Sequence, residues 1–453
     1  MNHKWLVLVS VLLLAGLVLG ACAKATPTPA PVQTEAPAMG ETQEASEAPE
    51  APEATEAPAA AKEVILTIGF TESQTGKYNV SSGRQAKGLR LWMDQVNAAG
   101  GIKLSDGTVV KFKAVSYDDE SSKDRVQELY TRLATEDNAD FLISPYSSGL
   151  TAAAAIIAEQ YGKVMLTTGA ASDSTYKQGY TQVFQIYTPA SRYLTGATDL
   201  LMDLDPAVKK VAFVYENSKF STAVVEAAKA YTESKGYEVV LFEGYDKDTT
   251  DFGPFINKIQ ESGAEAVLGG GHFQDGSTFA RQMYEKQVPV KFIALLVAPP
   301  EPDFAQLGDA AVGIVGPSQW EAEASYSPEA AKAAGIAWFG PTSEEFVKAY
   351  RAAYNDEEPS YHSAGGYAAG LVLQKAILDA DSVDPAKVKA ALENMDLMIF
   401  FGHIKFDTSE EAHGLQVGHE MVYVQWQKSG DTLQKVIVWP KDAATAEPLY
   451  PIH

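Results

Sequence analysis

Two short stretches of small, hydroxyl-bearing residues are the first places where residue type and spacing could do chemistry. The apolar run FLIS (141–144) gives way to Pro145-Tyr146-Ser147-Ser148-Gly149 and then to an alanine-rich segment, and VMLTT (164–168) gives way to Gly169-Ala170-Ala171-Ser172. A helix N-terminus carries unpaired backbone N–H groups and partial positive charge, so it favours a carboxylate, and serine hydroxyls add donors. Serines at such junctions also serve simply as helix caps and turn formers. What points beyond capping is the pairing of two junctions one strand–helix–strand step apart, where both could face one anion.

The elements that must position these junctions are legible around them. VILTIGF (64–70), VVKFKAVSYDD (109–119), FLIS and VMLTT read as strands. Between them, Ala86, Leu89, Met93 and Val96, and then Val126, Leu129, Tyr130 and Leu133, recur at helical spacing. After Pro189 the rhythm restarts with VKKVAFVYE (208–216), YEVVLFEGY (237–245), AEAVLGGG (264–271) and VKFIALL (290–296), again separated by helical patterns. Residues 343–394 read as mostly helical, and 419–439 as a hairpin turning at Ser429-Gly430-Asp431. Strands alternating with helices imply parallel sheets covered on both faces. The expected fold is therefore α/β, with two doubly wound parallel-sheet lobes; at this length two cores are expected rather than one. In such sheets ligands bind beyond the carboxyl ends of the strands, which is where the two serine junctions lie.

Other chemistries find little support. There is no G-x-S-x-G elbow to carry a serine nucleophile. The seven histidines form no H-E-x-x-H, and His413 and His419 read as solvated loop residues. Gly269-Gly270-Gly271 lacks a following Lys-Ser/Thr and reads as a close backbone approach or loop rather than a phosphate cradle. Trp92 lies on an apolar helical face and reads as core, whereas Trp320 fits cleft and core equally. The formal charge of −23 opposes phosphate neutralisation, so no nucleic-acid partner is expected. Nothing calls for catalysis, a cofactor or a metal.

The N-terminal residues carry a separate message. MNHKWLVLVSVLLLAGLVLGAC has one lysine, an apolar stretch and small residues, the layout of a secretory signal (1–21). Leu19-Gly20-Ala21-Cys22 resembles a bacterial lipobox, in which the cysteine thiol is acylated, and Cys22 is the only cysteine in the chain. Residues 22–62 are rich in Ala, Pro, Thr and Glu and cannot bury enough apolar surface to offset their ordering entropy, so they read as a disordered tether. As a random coil it would span roughly 35 Å.

The globular part resembles the type I periplasmic binding proteins, in particular the branched-chain amino acid (leucine/isoleucine/valine) receptor branch that serves ABC importers. The residues that carry the resemblance are Gln74-Thr75-Gly76, Gly88, Val96-Asn97-Ala98-Ala99-Gly100-Gly101-Ile102, Tyr117-Asp118-Asp119, the two serine junctions and Phe401-Gly402-His403-Ile404-Lys405-Phe406-Asp407. The resemblance implies a bilobed clamshell with three crossovers, residues 63–187 plus 319–398 forming one lobe and 188–318 plus 399–453 the other. It implies a non-enzymatic, extracytoplasmic receptor, anchored to the membrane through acylated Cys22, that passes a small ligand to ABC permease subunits. The same clamshell could instead report its ligand to a signalling partner. The first lobe would hold the ligand's carboxylate with Ser147, Ser148, the Ala170 carbonyl and Ser172, while Phe220 and His272 would close from the second. Tyr78, Tyr146 and Trp320 are further ligand-binding candidates. Where the family places an acid for the ligand's ammonium, this chain has Leu295 or Leu296. Either another acid such as Glu321 substitutes or the ligand is not an amino acid; Glu301 is expected on the surface.

Overall fold

The computed structural model describes residues 62–452 apart from 325. The signal, Cys22 and the tether up to residue 61 lie outside the described residues. The chain begins with β1 (Glu63–Glu72), α1 (Asn79–Ala98), β2 (Ile102–Lys103), β3 (Val109–Asp118), α2 (Lys123–Thr135), β4 (Phe141–Ile143), α3 (Ser148–Gln160), β5 (Met165–Thr167) and β6 (Val183–Gln185). These strands form one sheet in the order β2-β3-β1-β4-β5-β6, parallel except for the short β2 edge. β1 is central: its ten residues all pair with β3, and Ile68 and Gly69 pair with β4. Its second half is buried on both faces, as expected for a parallel strand between helical layers.

The chain then crosses and builds α4 (Thr195–Leu204), β7 (Lys210–Glu216), α5 (Lys219–Ser234), β8 (Glu238–Tyr245), α6 (Gly253–Ser262), β9 (Ala266–Gly270), α7 (Phe273–Glu285), β10 (Phe292–Leu295) and β11 (Val315–Ser318). It returns through α8 (Pro328–Ala334), β12 (Ala337–Trp338), α9 (Ser343–Ala353), α10 (Tyr361–Ala380), α11 (Pro385–Glu393), β13 (Asp396–Ile399) and β14 (Gly402–Lys405), then crosses a third time into the hairpin β15 (Val422–Ser429) and β16 (Thr432–Trp439). The second sheet has the order β16-β15-β11-β10-β9-β7-β8, parallel except where β15 meets β11 and β16. Strands β12, β13 and β14 form a small third sheet. Two doubly wound α/β lobes joined by three crossing segments are thus present. Residues 399–406, expected in the second lobe, instead pack in the first: Ile399, Phe400, Phe401, Ile404 and Phe406 share a core with Ile68, Trp92 and Leu371. The third crossing therefore follows Phe406, because β13 and β14 form an antiparallel pair that keeps the chain on one side.

One helix contact does much to position the cleft. α1 and α10 cross so closely that a Cβ on Gly88 would lie 1.9 Å from the Ser363 carbonyl oxygen, and one on Gly366 would lie 2.0 Å from that of Gln85. A Cβ on Gly370 would meet the Trp92 ring at 2.1 Å. Only residues without a side chain permit this approach. It brings Arg84 on α1 alongside His362 on α10, and both face the second lobe.

The topology decides where a ligand could sit. In the first sheet the strand order reverses between β1 and β4, and in the second between β7 and β9. Crevices beyond strand ends at such reversals are the usual ligand positions in open α/β sheets. The segments after β1 and β4 carry Tyr78 and Ser147, while β7 ends in Glu216 and the residue entering α7 is His272.

Candidate functional site

Tyr146, Ser147, Gly169, Ala171, Tyr187, Tyr361 and His362 from the first lobe, with Tyr193, Phe220, His272 and Val297 from the second, line a narrow cavity between the lobes. Ser147 sits at its wall with φ of 80°, a left-handed conformation uncommon for a residue with a side chain. The conformation is held because the Ser147 N–H donates to the Gly169 carbonyl at 3.0 Å and its Oγ accepts from the Leu150 N–H at 3.3 Å. Ser147 is therefore both a helix cap and a wall residue. Gly169, at φ of 69°, lets the second junction lie against the first: a Cβ there would lie 2.3 Å from Gln85 Oε1.

The remaining expected anion-binding residues have more local roles. Ser148 Oγ accepts the N–H groups of Ala171 and Ser172, each at 3.0 Å, which ties the two junctions together without placing Ser148 on the cavity wall. Ser172 is buried, with its Oγ 3.1 Å from Ser174 Oγ, and it too is absent from the lining. The Ala170 carbonyl receives Gln185 Nε2 at 3.5 Å, and its neighbours Gly169 and Ala171 line the cavity instead. Tyr78 packs at the rim, its ring centroid 5.5 Å from Tyr146 and 4.7 Å from His272. Trp320 is core: it packs edge-on against Phe346 and Phe400 and donates Nε1–H to Ser343 Oγ at 3.3 Å.

From the second lobe, Phe220, near the start of α5, and His272, at the start of α7, line the cavity with ring centroids 5.8 Å apart. The structure adds Tyr187, Tyr193, Tyr361 and His362, so aromatic rings surround the space. Burial raises the Tyr146, Tyr187 and Tyr361 hydroxyls well above the usual phenol range, keeping them neutral.

Each histidine on the wall is backed by a buried glutamate that carries a cation on its far side. His272 Nδ1 donates to Glu216 at 2.5 Å, and Lys77 of the first lobe pairs with the same carboxylate. Burial alone would raise the Glu216 pKa, but His272 and Lys77 outweigh it and pull it down to about 2. His362 Nδ1 donates to Glu301, and Arg84 Nε lies 3.3 Å from the other Glu301 oxygen. Arg84 also donates to Asp303 at 2.9 Å and to the Glu358 carbonyl at 2.8 Å. Burial lowers the His362 pKa, so its ring is neutral at neutral pH; Glu301 stays ionised because His362 and Arg84 more than offset its own burial.

Glu301 is thus fully buried at the seam and not on the surface, because the loop after β10 folds inward beneath Arg84. Leu295 and Leu296 are both fully buried in the second lobe, and Val297 is the residue of this segment that reaches the cavity. Glu321 is buried away from it, paired with Lys435 at 2.9 Å. The glycine run before His272 is a close backbone approach: a Cβ on Gly269 would lie 2.2 Å from the Val214 carbonyl oxygen. Glu216, His272 and Asp275 place three donor atoms within 4.8 Å of one another, but hydrogen bonds and Lys77 already engage them.

The three crossing segments are joined behind the cavity. The Thr188 N–H donates to Gln319 Oε1 at 2.9 Å, and Thr188 Oγ1 lies 2.6 Å from His419 Nδ1. His419 Nε2 donates to the Phe401 carbonyl at 2.9 Å, so Nδ1 accepts from Thr188 and the ring is neutral. Burial lowers its pKa to about 4. His419 is fully buried and His413 is 9% exposed, both against the expectation of solvated loop residues; the crossing chain wraps them against the first lobe.

A family model described as periplasmic binding protein matches residues 65–431. Leu/Ile/Val-binding protein homolog 7 of Brucella melitensis biotype 1 is 25% identical over 396 residues, covering 86% of this chain and 95% of the relative. Among solved structures, the branched-chain amino acid transporter substrate binding protein LivJ of Streptococcus pneumoniae, in complex with isoleucine, superposes with a TM-score of 0.68 at 22% identity, covering 83% of this chain and all of that one. A solute binding protein of an R. palustris ABC transporter, in complex with 4-hydroxybenzoate, gives 0.67 at 19% identity, covering 82% of this chain and 95% of that one.

Proposed function

The chain belongs to the periplasmic binding protein family, and from that premise we propose that it captures a small carboxylate or amide ligand between its lobes and delivers it to an ABC permease. The observation that carries the reading is the cavity itself, closed by Ser147 and Tyr146 on one side and by Phe220 and His272 on the other. The solutes bound by the structural relatives, isoleucine and 4-hydroxybenzoate, are both small carboxylates with apolar bodies. Ligand contact with both lobes favours the closed form, so binding shifts an open–closed population and presents the permease with a loaded shape. Recognition needs no covalent step. Affinity comes from wall donors, apolar rings and excluded water. Acylation of Cys22 keeps the domain at the membrane, with the tether as its leash. Among the described residues no helix is long and apolar enough to cross a membrane.

The test is a thermal-shift screen of the mature chain against amino acids, carboxylic acids, amides and polyamines. A ligand at a hundred times its dissociation constant stabilises the fold by about 2.7 kcal/mol. At least one class of small carboxylate or amide is expected to score. A screen in which none does contradicts the reading.

A further inference from the structure

Resting on that receptor reading, we infer that the cavity selects a carboxylate without an ammonium group, carried on an apolar or aromatic body. Among the described residues three buried carboxylates lie beside the cavity, and each is already engaged by the protein. Glu216 is shared by Lys77 and His272, and Glu301 by Arg84 and His362. Asp275 accepts from the Tyr245 hydroxyl at 2.5 Å and from the His272 N–H at 2.9 Å. The segment 295–297 presents Val297 to the space and no charge. A buried ammonium without a counter-charge is strongly disfavoured.

A second, independent observation concerns the histidines. His272 and His362 are 3% and 1% exposed and line the cavity, and each is bonded to a glutamate through Nδ1. With Nδ1–H turned to a glutamate, Nε2 is left for the ligand: a neutral ring accepts from a hydroxyl, and a ring that gains a proton donates to a carboxylate. A neutral Nε2 could also accept from an ammonium. The glutamate behind each ring, however, is already paired with Lys77 or Arg84, so neither carboxylate is free to hold the cation. A carboxylate, by contrast, meets the Ser147 junction at the start of α3. Tyr146, Tyr187, Tyr193, Phe220 and Tyr361 supply flat apolar surface for the body.

Calorimetric titration with two matched pairs tests this: 4-methylpentanoate against L-leucine, and phenylacetate against L-phenylglycine. The members of each pair differ only by the α-ammonium. The acid lacking the ammonium is expected to bind at least tenfold tighter, and Lys77→Gln, which uncovers Glu216, should narrow that ratio. Equal or tighter binding of either amino acid overturns the inference but leaves the receptor reading standing. So does silence from all four probes when the broader screen scores. Silence in both experiments removes the receptor reading as well. A ratio unchanged in a folded Lys77→Gln protein removes the ion pairs from the account of selectivity.

Discussion

The back and the front of the cleft are held together by different chemistry. At the back, Thr188, Gln319 and His419 join the three crossing segments through neutral hydrogen bonds between fully buried groups. At the front, charges reach from one lobe to the other: Lys77 to Glu216, Arg84 to Glu301 and Asp303, and His362 to Glu301. Lys219 adds a contact to Ser174 Oγ at 2.7 Å. Opening a clamshell must part the front contacts but can keep those at the back. The difference teaches that the neutral cluster suits a pivot, which keeps its partners, whereas ion pairs suit surfaces that separate and are rehydrated. Water repays much of the cost of parting charges, but not of leaving one unpaired in a dry seam.

The comparison breaks most visibly at Glu301. Glu301→Gln leaves Arg84 partly uncompensated and His362 without its carboxylate, and losing one partner of a buried pair costs about 3–5 kcal/mol. Urea unfolding should register a loss of that size; a change below about 1 kcal/mol would mean that the front is not charge-dependent.

A slightly smaller effect is expected at the back, and it depends on pH. The folded His419 pKa is depressed to about 4 against an ordinary value of 6.5. Between those values the unfolded chain takes up a proton that the folded chain refuses, so stability rises with pH across this window and is lost on acidification from 6.5 to 4. The shift corresponds to about 3 kcal/mol. His362 is depressed in the same direction. In His419→Gln the stability profile between pH 6.5 and 4 should flatten, leaving the part owed to His362. An unchanged slope would show that His419 does not carry it.

Lys77 gives the smallest effect on stability. Its side chain is 20% exposed and buried Glu216 keeps the His272 hydrogen bond, so Lys77→Gln should cost about 1–2 kcal/mol in unfolding, although it alters ligand preference. A larger loss would make the rim a structural staple like Arg84.

Much of this architecture was legible in the residues. The strands around the serine junctions and the restart after Pro189 follow from apolar runs set between helical periodicities, and they fall where expected. Two quoted motifs have physical reasons. Asn97 bonds both the carbonyl and the N–H of Phe112, at 2.8 and 2.9 Å, which pins α1 to β3. Gly402 has a φ of 143°, and a Cβ there would lie 2.5 Å from the His419 ring, so it makes room for the pivot. What the sequence hid is burial created by distant chain. Glu301 follows two prolines and reads as a surface loop until Arg84 and His362, from two helices crossing at glycines, close over it. His419 sits in a polar stretch that only the third crossing buries. Tyr361 reaches the same cavity as Tyr187 and Tyr193 from a segment far away in the chain, and no local pattern links them. Ser148 and Ser172 were legible as junction residues, but their hydroxyls turned out to bond the chain itself.

The most direct test is to titrate the strongest ligand from the screen into the wild type, Ser147→Ala and Phe220→Ala, with the unfolding midpoint of each recorded alongside. These two side chains face the cavity from opposite lobes. If the ligand bridges the lobes, each variant should lose at least tenfold in affinity while remaining folded. Undiminished binding in both folded variants would place the ligand elsewhere and contradict the account.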